Sequence, residues 1–220
     1  MMDIFAYLRN NTYPGRGIIV GRHASKRVVA YFIMGRSVNS RNRIFVKKND
    51  ILFTKAFDES RVADPSLIIY NAIREYNDEI IVTNGNQTDT IYDYVSEGRS
   101  FEEALKTREY EPDAPNYTPR ISAILKEDCY QISILRKEGE NCQREYSSYS
   151  YAENKGHFIS TYEHDGDPLP SFEGAPREID LDLPFSEFAR KLWNSLNEDN
   201  KVSLYVRFND KEIIYNRNEE

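Results

Sequence analysis

The chain has 220 residues, 40% hydrophobic and 30% charged, with a net charge of −7; that is enough apolar content for one core of moderate size. No stretch approaches the ~20 consecutive apolar residues of a membrane span, and an acidic body disfavours duplex nucleic acid, whose phosphates would meet repulsion over most of the surface. Two cysteines, Cys129 and Cys142, with no CxxC spacing, point to free thiols in a reducing compartment rather than to a disulfide or zinc.

The opening "MMDIFAYLRNNTYPGRG" carries Asp3 and no long apolar run, so a secretory leader is not expected and a cytoplasmic location is. Residues 1–12 read as a short helix with Ile4, Phe5 and Leu8 on one side. "GRGIIVGR" and "KRVVAYFIMG" are short apolar runs separated by "HAS", which predicts a hairpin. "NRIFVKKNDILFTKAF" predicts two more strands turned at "KKND". "DPSLIIYNAIREYNDEIIVTNGN" reads as a strand, a turn at "YND" and a second strand. The pattern then changes: Thr88 or Asp89 can cap a helix carrying Ile91, Tyr94 and Val95. Ser100 and Glu103 have capping-box spacing ahead of another helix. "PDAPNYTPR" is a Pro-rich loop. "RISAILKED", "CYQISILRKEG" and "GHFISTYEHDG" predict three strands, "PFSEFARKLWNSLNED" an amphipathic helix, and "VSLYVRFN" and "EIIYN" the last strands. No repeat or linker divides the chain. Groups of strands with helices between them imply an α+β fold of stacked sheets with helices outside, in one domain.

Charge is uneven. Arg16 to Lys48 holds nine basic residues and no acid, leaving 20 basic and 36 acidic residues elsewhere. A local cationic field on an acidic body suits a small anion; the plainer alternative is lysine and arginine solvating strand edges. Several polar words stand at the ends of apolar strands, where binding groups are commonly displayed: "PGRG", "GRSVNSR", "YNAIR", "TNGNQTDT", "YEPDAPNYTPR" and "STYE". Singly each has a bland explanation, such as a tight turn at Asn84–Gly85. Arginine forks suit phosphate, glycine beside Arg16 and Arg36 lets backbone approach an oxyanion, and Asn71, Asn84 and Asn86 can pair with purine-like edges. The histidines share no partner spacing, so no metal is expected.

In order, "YPGRGIIVGR", "AYFIMGRSVNSR", "DPSLIIYNAIR", "VTNGNQTDTI", "YEPDAPNYTPRISAIL" and "FISTYE" resemble the archaeal-type inosine monophosphate (IMP) cyclohydrolase family, from about Tyr13 to Glu163. The resemblance implies an N-terminal-nucleophile-hydrolase-like fold, a four-layer α-β-β-α sandwich over 1–220, with residues 1–12 as an N-terminal extension. It implies ring closure of 5-formamidoimidazole-4-carboxamide ribonucleotide to IMP and water, without metal or organic cofactor. The nucleophile is the substrate's own carboxamide nitrogen, so the absence of a terminal Thr, Ser or Cys is no obstacle. It places Arg16, Arg36 and Arg41 at the phosphate or ribose end, and Tyr70, Asn71 and Asn84 at the base, with Asp89 also among the substrate-binding residues. Arg120 would polarise the formyl oxygen, and Glu111 or Glu163 would shuttle protons or orient Tyr70. The partner implied is a purine ribonucleotide rather than nucleic acid or membrane, and the many tyrosines are compatible with a homo-oligomer. The chain departs from the family at "RSVNSR", which lacks a proline, and at "TNGNQTD", where Gln87 replaces a histidine. The other readings of the same pocket are a nucleotide sensor without turnover and a hydrolase of a related nucleotide amide.

Overall fold

A computed structural model describes residues 1–62 and 69–219. Asp3 opens the first helix, α1 (Ile4–Asn10), by accepting from the backbone N–H of Phe5 and Ala6. This satisfies two of the donors that a helix start leaves free. The hairpin expected next is present as β1 (Arg16–His23) and β2 (Lys26–Met34). A single short turn of helix, α2 (Val38–Arg41), leads into β3 (Arg43–Lys48) and β4 (Ile51–Ala56). Then come β5 (Asn71–Tyr76), β6 (Glu79–Thr83), α3 (Gln87–Ser96) and α4 (Phe101–Lys106). The strand expected ahead of the "YND" turn is β5; the part of that reading on residues 63–68 lies outside the described residues. The capping box at Ser100 and Glu103 forms in both directions.

The second half holds β7 (Arg120–Leu125), β8 (Cys129–Glu138), β9 (Asn141–Ser150), β10 (Lys155–Ser160) and β11 (Arg177–Asp180). The amphipathic helix α5 (Phe185–Ser195) and the strands β12 (Lys201–Phe208) and β13 (Lys211–Asn216) follow. Both cysteines are free thiols. Every pairing between these strands is antiparallel, and Met2 adds a parallel bridge to Ile179. One sheet runs β11-β10-β1-β2-β12-β13, and the other runs β3 to β9 in chain order.

The apolar runs of β1 and β2 are continuous because both faces of these strands are buried. Ile19, Ala30 and Phe32 pack with Phe5, Leu8, Phe188 and Leu192 of α1 and α5. Their neighbours Ile18, Val29 and Tyr31 turn the other way, onto Val82, Ile121 and Ala123 of the second sheet. On that sheet's outer face Ile81 and Ile124 meet Ile91, Phe101 and Leu105 of α3 and α4. The sheets are thus stacked with helices outside, as the sequence implies.

One detail differs from expectation, and two strands stand where the sequence signals none. Helix α3 starts at Gln87, after an Asn86 that makes no capping bond. Thr88 is therefore inside the helix, and its hydroxyl meets Thr83 and the Gly85 carbonyl instead. The polar stretch at 141–150 is a full strand, β9, whose residues escape an apolar pattern because it is the edge of its sheet. The short β11 is likewise an edge strand.

The sheets are stitched at one side by a side chain. Asn216 Oδ1 accepts from Phe45 N–H at 2.8 Å and from Ser203 Oγ at 2.7 Å, while its amide donates to Phe45 C=O at 3.0 Å. It serves β3 as a missing strand neighbour would. Asn216→Ala leaves two buried backbone groups of Phe45 unpaired and is expected to cost about 2–4 kcal/mol, measured as a lower urea midpoint with an unchanged m-value.

Candidate functional site

Antiparallel pairing gathers the polar words. The start of β1 lies against the ends of β2 and β10, with Arg16 opposite Ile33 and Gly17 opposite Ser160. This brings the Arg16, Arg36 and Tyr162 segments to one end of the first sheet. In the second sheet the end of β6 meets the start of β7, with Thr83 opposite Ser122, so Asn84, Gln87 and Arg120 gather there. At the first of these groups lies a cleft of about 240 Å³ lined by Tyr13, Arg16, Arg36, Ser40, Thr118 and Tyr162, with Ser37, Asp113, Asn116 and Leu169 completing it. A larger cavity of about 340 Å³ opens at the far end of the same strands. Its Arg22, Arg27 and Arg207 stand among Asp78, Glu127 and Asp210, and it gathers none of the words that drew attention to a site.

The cleft has an exposed rim, and its Arg16 also belongs to a buried charged cluster whose other members, Arg43, Tyr70, Glu111 and Arg120, do not line it. At the rim Arg36 pairs with Asp165 at 2.6 Å, both about 40% exposed, and lies over the Tyr13 ring. Ser37 and Ser40 stand beside it, bound to each other in a capping box. Inside, the Nε of Arg16 is buried with no hydrogen-bond partner. Arg43, only 2% exposed, donates from Nε to Ser40 C=O at 2.9 Å. The Tyr31 and Tyr70 hydroxyls share a hydrogen bond of 2.7 Å. Glu111, 4% exposed, is the one buried acid among the described residues.

Burial pushes the Glu111 carboxyl up from its ordinary range, against the downward pull of Arg16 and Arg120. Burial also raises the Tyr70 phenol, with Arg43 and Arg16 pulling it down. Arg43 and Arg120 hold their protons less tightly than free arginines, chiefly because they are buried. Burial opposes the charge of Arg16 as well, but Glu111, Tyr162 and Tyr13 more than offset it, and its pKa is raised.

The loop after β6 supports this interior. Asn84 is held by the fold at both ends of its amide: the nitrogen donates to Pro119 C=O, and the oxygen accepts from Gln87 and from Ile121 N–H. Gln87 in turn accepts from Arg120 Nη1 at 2.7 Å. Arg120 also donates to Glu109 C=O and stands 3.9 Å from Glu111.

The residues singled out from sequence therefore divide. Arg16, Tyr70, Glu111 and Arg120 come together, with Arg36 at the rim. Asn84 adjoins them as a staple rather than presenting a free amide to the cleft. Arg41 is bound to Gly35 C=O and Asn200 and does not line the cleft. Asn71 and Asp89 bond to each other at 2.9 Å, and Asp89 also holds Arg74, tying α3 to β5. Glu163 pairs with Arg177 and accepts from Glu173 N–H. Its carbonyl accepts from Tyr7 and Asn11 of the N-terminal segment at 3.0 and 2.7 Å. Sequence reasoning passed over Arg43, Asp113, Thr118 and Tyr162. The last three lie inside words already quoted, and Arg43 sits in the basic run, where burial has no local signature.

A family model described as IMP cyclohydrolase-like protein matches residues 13–213. The IMP cyclohydrolase of Methanosphaera stadtmanae is 29% identical over 174 residues, covering 76% of this chain and 78% of that protein. That of Methanopyrus kandleri is 30% identical over 180 residues, covering 73% and 89%. That of Methanocella arvoryzae is 26% identical over 155 residues, covering 69% and 74%.

Gly85 is the residue whose lack of a side chain lets these groups meet. A Cβ there would lie 2.6 Å from Arg120 Nη1 and 2.7 Å from Gln87 Oε1. Gly85→Ala is expected to break the Arg120–Gln87 bond and to cost about 1–3 kcal/mol, read as a lower thermal midpoint; an unchanged midpoint would show that the Arg120 side chain yields freely.

Proposed function

The chain belongs to the IMP cyclohydrolase-like family, and from that membership we propose that it closes the second purine ring, converting 5-formamidoimidazole-4-carboxamide ribonucleotide to IMP and water. The observation that carries this is the buried cluster that adjoins the cleft through Arg16: three guanidinium groups, Arg16, Arg43 and Arg120, around the buried carboxylate of Glu111, with the Nε of Arg16 unpartnered. Buried charge without a partner is costly, so an interior that is cationic on balance suits an anionic ligand and a reaction in which negative charge develops.

In the reaction the carboxamide nitrogen attacks the formyl carbon. One proton leaves that nitrogen, another leaves the formamido nitrogen, and both depart with the formyl oxygen as water. An amide nitrogen is a poor nucleophile, so holding it against the formyl carbon is the first contribution, potentially several kcal/mol. Arg36, with the hydroxyls of Ser37 and Ser40, holds the 5′-phosphate at the rim. Its pairing with Asp165 is half-exposed and therefore weak, so a phosphate can replace it. Arg16, backed by Arg43, faces the formyl oxygen as charge builds there. Glu111 moves the protons, and Tyr70, held by Tyr31, donates to the same centre. Arg120 acts through Glu111, which it positions together with Gln87. The amide of Gln87 cannot carry a proton, which leaves that task to the carboxylate.

The same reading takes 1–220 as one N-terminal-nucleophile-hydrolase-like domain in α-β-β-α order, with 1–12 as an extension; the stacked sheets with outer helices support it. It places the protein in the cytoplasm with a purine ribonucleotide as its partner, and among the described residues no helix is long and apolar enough to cross a membrane.

Incubation with the formamido ribonucleotide is expected to give an ultraviolet absorbance rise as the ring closes; a flat trace with folded protein would sink the proposal. Glu111→Gln is expected to lower kcat by about 100-fold or more. A base must be ionised to work, and burial raises the Glu111 pKa. Activity of the unaltered protein should therefore fall, as pH drops, at a pH above the usual carboxylate range, and a kcat/KM profile of Glu111→Gln should lack that limb.

A further inference from the structure

Beside Arg16, a chain of three side chains fixes the direction of one hydrogen bond. Asp113 accepts twice from Thr118: from its backbone N–H at 2.6 Å and from its hydroxyl at 2.5 Å. A carboxylate has nothing to donate, so the hydroxyl proton of Thr118 points at Asp113. The oxygen of Thr118 also lies 2.7 Å from the Tyr162 hydroxyl. With its own proton committed, Thr118 can only accept there, so the proton of Tyr162 points at Thr118. Tyr162 is 2% exposed and its ring stacks on Tyr13 at 6.0 Å. Burial pushes its phenol up to about 12, so it stays protonated at neutral pH. Its oxygen therefore shows only lone pairs to the cleft it lines, and among the described residues no other group donates to it.

We propose that Tyr162 is a specificity residue that accepts a hydrogen bond from a ribose hydroxyl of the bound nucleotide. The inference rests on the reading of the cleft as a purine-ribonucleotide site. Tyr162, Tyr13 and Thr118 line the cleft together with both Arg36 at the rim and Arg16 at the interior. With the phosphate at Arg36 and the reacting groups at Arg16, the sugar is the part of the substrate that passes this wall. A sugar hydroxyl fits the demand, because it can donate to Tyr162 while accepting from Arg16. Asp113 and Thr118 are positioning residues: they hold the phenol in the one orientation that rejects an acceptor. A sugar without the contacted hydroxyl leaves the phenol oxygen buried and unpaired, which is how a polar site discriminates.

The test is calorimetric binding of IMP, 2′-deoxy-IMP and 3′-deoxy-IMP to the whole protein and to Tyr162→Phe, with thermal melting to confirm that both are folded. The unaltered protein is expected to bind one of the deoxy forms roughly tenfold more weakly than IMP, the scale of one hydrogen bond. Tyr162→Phe is expected to bind IMP as weakly as that deoxy form, with the discrimination gone. Equal binding of all three by the unaltered protein, or discrimination that survives in Tyr162→Phe, overturns the assignment. The first of these needs no variant to fold. Loss of turnover in Tyr162→Phe with IMP affinity unchanged also overturns it, since the phenol would then act on the reacting groups. If the unaltered protein neither binds IMP nor turns over the formamido substrate, the cyclohydrolase reading itself fails and this inference with it; turnover with indifferent sugar recognition defeats this inference alone.

Discussion

The site depends on one unequal pairing: a single buried carboxylate, Glu111, set among the guanidinium groups of Arg16, Arg43 and Arg120. Such an arrangement is expensive to form in a protein interior, and it constrains the fold around it. Arg16 begins a strand of one sheet and Arg120 begins a strand of the other. Their charges share Glu111 only if the sheets are stacked with those strand ends together. The apolar layer between the sheets, built from Ile18, Val29, Val82 and Ile121 among others, holds them there.

Polar side chains around this centre do work that backbone does elsewhere. The Asn84 side chain joins the loop after β6 to the start of β7 with two hydrogen bonds and to Gln87 with a third. Gln87 then passes the constraint to Arg120. Gly85 permits the close approach, since any Cβ would collide with both partners. Asn216 does the equivalent for the edge of β3. Each of these amides is buried and bonded at both its oxygen and its nitrogen, a condition under which a polar core group stabilises one arrangement rather than several.

Much of the fold is legible in the sequence because the hairpins are local. Val, Ile and Phe runs broken by "HAS", "KKND" and "YND" fix β1 through β6, and the Ser100–Glu103 box marks α4. What is hidden is hidden for physical reasons. Strand β9 carries serine, glutamine and arginine because it is an edge with no second neighbour. Arg43 reads as one more solvating cation, yet it is among the largest fully buried side chains. Asn71 and Asp89 read as substrate-binding residues, and they meet one another eighteen residues apart across a strand and a helix. The words that mark the site are visible, but which letter in each word faces the cleft is decided by strand ends that meet across more than a hundred residues. Tyr162, not Glu163, is the member of "STYE" on the cleft wall.

The N-terminal helix bears on all of this. Tyr7 and Asn11 both grip the carbonyl of Glu163, the residue next to Tyr162, and both precede the region shared with the family, which begins at residue 13. The opening segment is therefore a brace for the sugar-facing wall, supplied from outside the common core. A chimaera that joins residues 1–12 of this chain to the core of a relative would add that brace while leaving every cleft residue of the core in place. It offers a way to tune the pocket without touching it.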